Sequence, residues 1–463
     1  MFLSFSDIIL NCNNISFDSF VCQTNVQTEK DKAELREKDY PFVFTETEFQ
    51  GFMAGVDPKN VYYIPSMAAS AIYFNKETLA VCPCHIELMW MAFQNGEDKT
   101  PGMLRAIAST EADVANMDFS SSLIVVPDGA RCEYFNMLLK KFPDGGKSIP
   151  NLFQLFLSFY TNSDFGSQKL DQDVLQKIIQ SQQPEDIMAT KSALKEFPDM
   201  LTVYRGGSND ISTPAESASS WTLDISVANF FAARLGTKRG YIAKGTIPKD
   251  KVLFCCFNRG EQEVFVSPND VSIQETIELK GLEDCEKFLP QITPMYFEYM
   301  DVLDDLEFSM DSEVHGRVHE ARVLLLALTI AHYLGLSQED QEVLGMASVY
   351  HDTCRDNDAE DGRHGYEAML YYEANAEYVD PLVGFLIEYH CRPDADGYEN
   401  IETNPALRSE KARAKLLFDV FKDADALDRV RFGLRDLDVN QLRIPVSKTL
   451  SVVANIYLSQ IKA

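Results

Sequence analysis

The sequence predicts a multidomain α+β protein whose three segments differ in their hydrophobic patterning. A chain of 463 residues exceeds what one hydrophobic core usually organises, so we expect several domains. Strand-like and helical runs mix at the start, short strands surround one helix in the middle, and helical periodicity dominates the end. The predicted domains are an α+β domain over 1–150, a β-sandwich with helices over 151–280, and an all-α domain over 290–463.

The composition is that of a globular chain with an acidic balance. Lys and Arg number 42 against 71 Asp and Glu, which gives a formal charge of −29. This balance argues against a broad nucleic-acid-binding or anionic-membrane surface, because both need clustered positive charge. No stretch of the sequence predicts a membrane span, and no basic residue precedes the N-terminal apolar run, which argues against a secretory signal. We therefore expect a cytoplasmic protein, or a secreted effector that acts in the cytosol of a host or target cell.

The first segment mixes both periodicities. YPFVF, VYYIP and SSLIVVP are predicted to be strands, and IELMWMAF is predicted to be a helix. FPDGGKSIP, at 142–150, is rich in Gly and Pro and marks the predicted boundary. The sequence assigns no role to this segment.

The middle segment is predicted to fold as strands around one helix, after two helical stretches. NLFQLFLSFY and LDQDVLQKIIQ have helical spacing, whereas LTVY, GYIAKGTI, KVLFCCF and EVFV are strand-like. The single helix is predicted to begin at an N-cap of Asp224 or Ser226. Its predicted buried face contains Ala228, Phe231, Ala232 and Leu235.

Three motifs of this segment bring polar residues to strand ends. LTVYRGG is a strand that ends at Arg205, and Gly206 lets a ligand approach the backbone. Ser220-Trp221-Thr222 leads into the helix. Glu261 and Glu263 are two residues apart at the head of a strand, so alternation predicts both carboxylates on one face. Two carboxylates in one pocket repel each other, so the arrangement suggests a function that uses negative charge. Glycosidic chemistry is one, because carboxylates stabilise its oxocarbenium-like transition state.

In this order the motifs resemble the Arg…Ser-x-Thr…Glu-x-Glu pattern of arginine-type mono-ADP-ribosyltransferases. The resemblance implies an NAD-binding set made of Arg205, Gly206, Ser220, Thr222 and Phe230 or Phe231. It also implies catalytic roles: Glu263 would be the catalytic glutamate, Glu261 would help the guanidinium of a protein arginine to attack, and Arg205 and Ser220 would support them. Trp221 departs from the pattern, because the middle position often carries a smaller residue.

Histidines cluster in the last segment, where six of the seven lie between 315 and 390. His315 and His319 are four residues apart in a run with helical spacing, so we expect them to share a helix face. The next helix is predicted to begin with a capping box at Ser337 and to close on His351 and Asp352. The sequence thus predicts that helices bring several imidazoles into one region.

A later helix, KARAKLLFDVFKDADALDRVRF, carries a carboxylate on an apolar face. Asp425 lies one turn beyond Phe421 and two turns beyond Leu417. A buried carboxylate costs free energy unless something compensates it, and a divalent metal would do so.

These elements resemble the H…HD…D signature of HD-domain phosphohydrolases, in His319-x-x-Arg-Val, His351-Asp352 and Ala424-Asp425-Ala-Leu-Asp428. The resemblance implies an all-α HD domain with one divalent metal, ligated by His319, His351, Asp352 and Asp425, and a catalytic role for Asp352. Imidazole with carboxylate suits Mn²⁺, Fe²⁺, Co²⁺, Ni²⁺ or Zn²⁺, and Mg²⁺ fits if waters complete its shell.

The same resemblance places further residues near the metal. Extra histidines, His364 and His390, would hold a second metal or contact a phosphate, and His315 would reach the pocket. The candidate phosphate contacts, by position alone, are Arg355, Lys422 and Arg429, whereas His332 is expected to be structural.

Together the segments predict a bifunctional enzyme. It would transfer ADP-ribose from NAD to protein arginine and hydrolyse a phosphate ester, an ADP-ribose adduct or a nucleotide at a metal. Two alternatives stay open: an HD nucleotide hydrolase whose degenerate transferase-like domain only binds NAD, and a non-enzymatic interaction protein. By analogy, the architecture suits a bacterial effector or toxin.

Overall fold

The computed structural model describes residues 17–461, except 23–25, 27, 38–42, 65–70, 143, 145, 164–168, 209–211, 235–238, 258, 311 and 360–361. The chain divides into two compact units, Met1–Glu196 with Leu253–Arg259, and Phe197–Val252 with Gly260–Ala463. Their mixture of helices with two antiparallel sheets confirms the predicted α+β class. The boundaries predicted from sequence pattern do not coincide with the edges of these units, and the three-domain division stays a prediction.

The first unit contains a four-stranded antiparallel sheet and a set of mostly short helices. The strands, in the spatial order β1-β2-β3-β4, are β1 (Val21–Cys22), β2 (Val61–Tyr63), β3 (Ala71–Phe74) and β4 (Val81–Cys84). The helices are α1 (Glu29–Glu37), α2 (Glu46–Phe52), α3 (Ile86–Gln94), α4 (Thr100–Ala115), α5 (Ser120–Val125), α6 (Arg131–Lys141), α7 (Leu152–Tyr160), α8 (Gln172–Gln180) and α9 (Pro184–Ala193). The stretch Leu253–Arg259 contains most of strand β8 (Val252–Cys256).

One predicted strand of this unit is wrong. SSLIVVP forms α5 instead, and the reason lies just before it, where Asp118 Oδ1 accepts a hydrogen bond of 3.1 Å from the Ser120 backbone N–H. A side-chain acceptor at this point satisfies a backbone donor that a helix start leaves open. The predicted strand in VYYIP and the predicted helix in IELMWMAF are confirmed as β2 and α3. The run 1–16 and part of YPFVF lie outside the described residues.

The second unit begins with antiparallel strands. They are β5 (Met200–Ser208), β6 (Ser220–Thr222), β7 (Gly240–Pro248), β9 (Glu263–Val266) and β10 (Ser272–Glu278), in the spatial order β10-β7-β5-β6-β9. β5 pairs with β7 along its whole length, but it pairs with β6 only through Tyr204 and Thr222. The described strands therefore form one hydrogen-bonded sheet with a narrow junction between β5 and β6, and the β-sandwich predicted for this segment stays a prediction.

Helix α10 (Ile225–Ala233) packs directly on this sheet. Asp224 is its N-cap, because Asp224 Oδ1 accepts from the Ser226 N–H at 2.8 Å, which selects one of the two predicted caps. Ala228 and Ala232 are buried as predicted, Phe231 is half-buried, and Leu235 lies outside the described residues. A Cβ on Gly206 would lie 1.6 Å from the Ala228 carbonyl oxygen, so this glycine is what lets β5 and α10 approach.

Helices make up the rest of the second unit. They are α11 (Leu282–Asp305), α12 (Arg317–Leu334), α13 (Gln338–Tyr350), α14 (His364–Asn375), α15 (Pro381–Tyr389), α16 (Asp394–Thr403), α17 (Lys411–Leu427) and α18 (Ser451–Gln460). Every side chain from His319 to Ala331 is buried, so α12 is a central core helix. The capping box predicted at Ser337 is confirmed at the start of α13. Within the described residues, no helix combines the length and the apolar character that crossing a membrane requires.

Candidate active sites

The four predicted metal ligands converge in the helical part of the second unit. His319 lies on α12, His351 and Asp352 directly follow α13, and Asp425 lies on α17. His319, His351 and Asp352 are almost fully buried, and their ligand atoms lie within 4.8 Å of one another. Asp425 Oδ1 is 3.4 Å from His319 Nε2, and the Asp425 side chain is 32% exposed. The cluster therefore opens towards solvent on the Asp425 side.

The spacing of these atoms suits one cation. His319 Nε2 lies 3.4 Å from His351 Nε2 and 3.6 Å from Asp352 Oδ2. Nitrogen and oxygen ligands about 2.1 Å from a metal stand roughly 3.0–3.4 Å apart in an octahedral or tetrahedral shell. A small contraction around an ion would bring the side chains to those separations.

Both imidazoles are held so that Nε2 presents its lone pair to the cluster. His319 Nδ1 lies 2.7 Å from Asp428 Oδ2, and His351 Nδ1 lies 2.9 Å from the Ser348 carbonyl oxygen. Each Nδ1 has an acceptor as its partner, so its proton belongs on that side of the ring. Two imidazole lone pairs and two carboxylates that face one another form a donor set that a bound cation would stabilise. The donor set therefore fits a divalent metal.

The charge states of His351 and Asp352 suit metal binding, whereas for His319 burial lowers the pKa but hydrogen bonds to Asp425 and Asp428 raise it above its usual value. Burial lowers the pKa of His351 to about 3, so its imidazole stays neutral near pH 7. Burial alone would raise the pKa of Asp352, but the neighbouring imidazoles of His351, His364 and His390 hold that pKa well below its usual range. Neutral imidazole and ionised carboxylate are the forms that ligate metals.

A second group lies on the other side of Asp352. Asp352 Oδ1 is 3.2 Å from His364 Nε2 and 3.3 Å from His390 Nε2, whereas its Oδ2 faces His319. The two Nε2 atoms are 3.0 Å apart, and Cys391 completes a group whose ligand atoms lie within 4.8 Å of one another. His390 Nδ1 lies 2.7 Å from the Ile387 carbonyl oxygen, and this contact directs His390 Nε2 towards Asp352. Asp352 is thus placed to be shared by two groups of ligands.

Cationic side chains border the cluster. Of the three predicted phosphate contacts, Arg355 reaches it, with Nε 2.9 Å from Asp352 Oδ1. Lys422 and Arg429 donate to backbone carbonyls instead. Arg431 is also present: its side chain is 9% exposed, and its buried Nε makes no hydrogen bond within the described part of the chain.

Two other histidines differ in position from the cluster. His315 precedes α12, so the predicted shared helix face is wrong, because the helix begins only after Gly316. The His315 and His319 rings nevertheless lie 5.8 Å apart, and His315 Nδ1 is 3.0 Å from Asp358 Oδ1. His332 stacks on Phe288, with ring centroids 5.7 Å apart.

The middle motifs form a second site at the junction of β5, β6 and β9. Arg205 Nη1 donates to the Ser220 carbonyl oxygen at 2.7 Å, and its buried Nε has no hydrogen-bond partner among the described residues. Ser220 Oγ donates to Glu263 Oε1, and the register of β6 on β9 places Thr222 opposite Glu263. Residues far apart in sequence therefore form one connected group, Arg205–Ser220–Glu263.

Glu261 enters this site differently from the prediction. β9 begins at Glu263, and Gln262 has a φ of 43°, so the alternation expected of a continuous strand does not hold between the two glutamates. The turn is held instead by Thr222, whose Oγ1 donates to the Glu261 carbonyl oxygen at 2.6 Å. The Glu261 side chain, 7% exposed, pairs with Arg435 Nη2 at 2.9 Å.

Phe230 forms an aromatic wall beside Glu261. The guanidinium of Arg435 lies 4.7 Å from the Phe230 ring centroid, and the Phe231 ring contacts Phe230 edge-on at 5.3 Å. Gly206, expected to admit a ligand, has its close approach to the α10 backbone, so the structure gives it a packing role.

Four residues of these sites were not predicted from the sequence, and Arg431, which borders the metal cluster, is one of them. Asp428 stands in the quoted Ala424–Asp428 element but received no role, although its spacing to Asp425 carries the signal. Cys391 directly follows His390, and a thiol beside a candidate ligand was the available signal. Arg435 had no sequence signal, because its partner Glu261 is distant in the chain.

Comparisons with protein families, with curated proteins and with solved structures found no match to this chain.

Proposed function

We propose that the chain is a bifunctional enzyme, an NAD-dependent mono-ADP-ribosyltransferase joined to a metal-dependent HD-type phosphohydrolase. The observation that carries the proposal is the convergence of His319, His351, Asp352 and Asp425, with both imidazole Nε2 atoms turned inward. The linked group Arg205–Ser220–Glu263 supports the transferase half.

In the hydrolase, His319, His351, Asp352 and Asp425 would hold the metal. A bound divalent cation supplies Lewis acidity towards a phosphoryl oxygen and acidifies water. Asp428 fixes the orientation and tautomer of His319 through its bond to Nδ1. Arg355 and Arg431 border the cluster and would bind the anionic oxygens of the substrate. The substrate class is a phosphate ester or anhydride, such as an ADP-ribose adduct or a nucleotide.

In the transferase, NAD is the substrate and Glu263 is the central group. Its carboxylate would stabilise the positive charge that develops on the ribose as the bond to nicotinamide breaks. Ser220 holds that carboxylate through its hydroxyl, and Arg205 holds the Ser220 backbone. The Phe230 ring and Thr222 lie beside Glu261, which would orient an arginine guanidinium.

The test is NAD turnover with cell lysate as the source of protein acceptors. Wild type, Glu263→Ala and Asp352→Ala are compared, with Glu275→Ala on the exposed part of β10 as the control, and modified proteins are weighed intact. We expect adducts with wild type, Asp352→Ala and the control, and none with Glu263→Ala. If the hydrolase acts on the adduct, Asp352→Ala leaves a heavier adduct than wild type does.

Four results would contradict parts of the proposal. Adducts that persist in Glu263→Ala would exclude the transferase assignment. NAD binding without turnover in every variant would favour the alternative in which this domain is degenerate and only the hydrolase is active. A protein that binds neither NAD nor any divalent metal would be the non-enzymatic alternative. Identical adduct masses in wild type and Asp352→Ala would exclude coupling alone.

A further inference from the structure

Glu261 already has a guanidinium partner from its own chain. Arg435 lies in a short 3₁₀ turn, Leu434–Asp436, that follows α17. Arg435 Nη2 is 2.9 Å from Glu261 Oε1, and the guanidinium lies 4.7 Å from the Phe230 ring centroid. A carboxylate together with an aromatic face is a strong arrangement for binding a guanidinium.

The two partners differ in burial in an informative way. The Glu261 side chain is 7% exposed, whereas the Arg435 side chain is 43% exposed. Glu261 is therefore a buried carboxylate, and the more exposed Arg435 side chain contacts it from the solvent side. An arginine from another protein that came to Glu261 would approach by the same side.

The backbone around Arg435 favours this position. Gly433 has a φ of 135°, which an L side chain rarely adopts, and it begins the turn that carries Arg435. Arg429 Nε donates to the Asp436 carbonyl oxygen at 3.2 Å and so closes the same turn. The guanidinium is thus presented by a defined turn.

We propose that Arg435 is itself an ADP-ribose acceptor, modified in cis at the site that contains Glu261 and Glu263. The inference rests on the transferase function proposed above. An Arg435 Nη atom would form a bond to C1 of the nicotinamide ribose while the bond from that carbon to nicotinamide breaks. Nicotinamide leaves with the bonding electrons, which restore its neutral ring, and the guanidinium gives up one proton to Glu261 or to water. No oxidant or reductant is needed.

A consequence follows for the pairing with Glu261. An ADP-ribosyl group on Arg435 Nη2 would replace a hydrogen of the nitrogen that lies 2.9 Å from Glu261 Oε1, and its bulk would displace that nitrogen from the carboxylate. Modification would therefore release the acceptor position for an arginine supplied by another molecule. In this proposal Arg435 and an external arginine compete for the same position beside the Glu261 carboxylate.

The experiment uses the full-length chain, NAD and agmatine, a small guanidine acceptor. Arg435→Lys keeps the positive charge but removes the guanidinium. Arg429→Lys, in the preceding 3₁₀ turn Asp428–Phe432, is the matched control. With wild type and Arg429→Lys we expect one ADP-ribose per chain, located at Arg435 by peptide mass spectrometry. With Arg435→Lys we expect that adduct to be lost, and agmatine modification to begin at a higher initial rate.

The outcomes separate the two proposals. Adducts on agmatine or other proteins with none on Arg435 would overturn this inference and leave the transferase standing. The inference also fails if the chain is modified at another residue to the same extent in wild type and Arg435→Lys. If no protein consumes NAD, the transferase proposal fails and this inference fails with it. Thermal unfolding of both variants checks that each is folded.

Discussion

Replacing Asp428 by Asn should weaken metal binding although Asp428 is not itself a predicted ligand. Its two carboxylate oxygens are fully used: Oδ2 lies 2.7 Å from His319 Nδ1, and the pair receives Arg322 Nε at 2.6 Å and Nη2 at 2.9 Å. Asn keeps the size and one acceptor but removes the charge. His319 then loses the partner that fixes its tautomer and raises the basicity of its Nε2.

The expected magnitudes follow from burial. Asp428 and Arg322 have side chains 1% and 5% exposed, so the variant leaves a buried guanidinium without its counter-charge. Removing one partner of a buried pair costs about 3–5 kcal/mol of stability. Loss of a hydrogen-bond partner behind a ligating histidine lowers metal affinity by about 10- to 100-fold.

Asp423→Asn is the matched control. Asp423 lies on α17, which Asp428 directly follows, and it is fully buried. It pairs with Arg443 while accepting from two backbone N–H groups. Both variants should unfold at lower temperature, but only Asp428→Asn should bind Mn²⁺ or Co²⁺ more weakly in an isothermal titration. Equal metal affinity in Asp428→Asn and wild type would refute the role given to Asp428, and equal losses in both variants would reduce it to general stability.

Three further predictions test the same two sites. Cys391→Ser should lower the number of thiophilic ions bound per chain at saturation, measured by elemental analysis, because it removes the thiol beside His364 and His390. Cys354→Ser is the control and should leave that number unchanged. Equal numbers in wild type and Cys391→Ser would show that Cys391 is not a ligand of this group. Ser220→Ala removes the hydroxyl that holds Glu263, the proposed catalytic glutamate. NAD cleavage should therefore fall roughly 10- to 100-fold, as expected for a hydrogen bond to a charged group, whereas Ser219→Ala should keep the wild-type rate. A Ser220→Ala enzyme as fast as wild type would contradict this. Gly206→Ala adds a methyl group that would lie 1.6 Å from the Ala228 carbonyl oxygen of α10. The midpoint of thermal unfolding should therefore fall, with a loss of about 1–3 kcal/mol in the free energy of unfolding. An unchanged midpoint would mean that β5 and α10 can move apart without loss of stability.

The sequence was most informative where periodicity and residue type agree. The helices that carry His319 and Asp425 have long apolar spacing patterns, and the resemblance of their motifs to the HD signature implied that imidazoles and carboxylates would meet. Arg205, Ser220 and Glu263 were likewise predicted as one group, and they are linked by hydrogen bonds. Motif order along a chain therefore carried information about proximity.

The failures have local physical causes. SSLIVVP has strand-like residues, but the Asp118 side chain accepts from the Ser120 N–H at the start of α5, and short apolar runs carry little periodicity. Glu261 and Glu263 do not alternate on one strand, because Gln262 has a left-handed φ, and that conformation is favoured by Gly and Asn rather than by Gln. His315 lies before its helix because the start falls at Gly316.

Long-range partners could not be predicted at all. The bonds of Asp428 to Arg322 and of Arg435 to Glu261 depend on how helices and turns pack, and neither pair has a recognisable spacing. Asp352 illustrates the same limit, since the division of its two oxygens between two groups depends on side-chain orientation. The sequence identifies candidate ligands, but which oxygen of Asp352 faces which group of histidines depends on the three-dimensional packing.

The most direct test of the metal centre is anomalous diffraction from crystals of the full chain grown with Mn²⁺. We predict a peak at bonding distance from His319 Nε2, His351 Nε2, Asp352 and Asp425, and its loss in crystals of Asp352→Ala. Anomalous peaks at other places with none at this cluster would contradict the account, because four converging acceptors would then have been assembled without a cation.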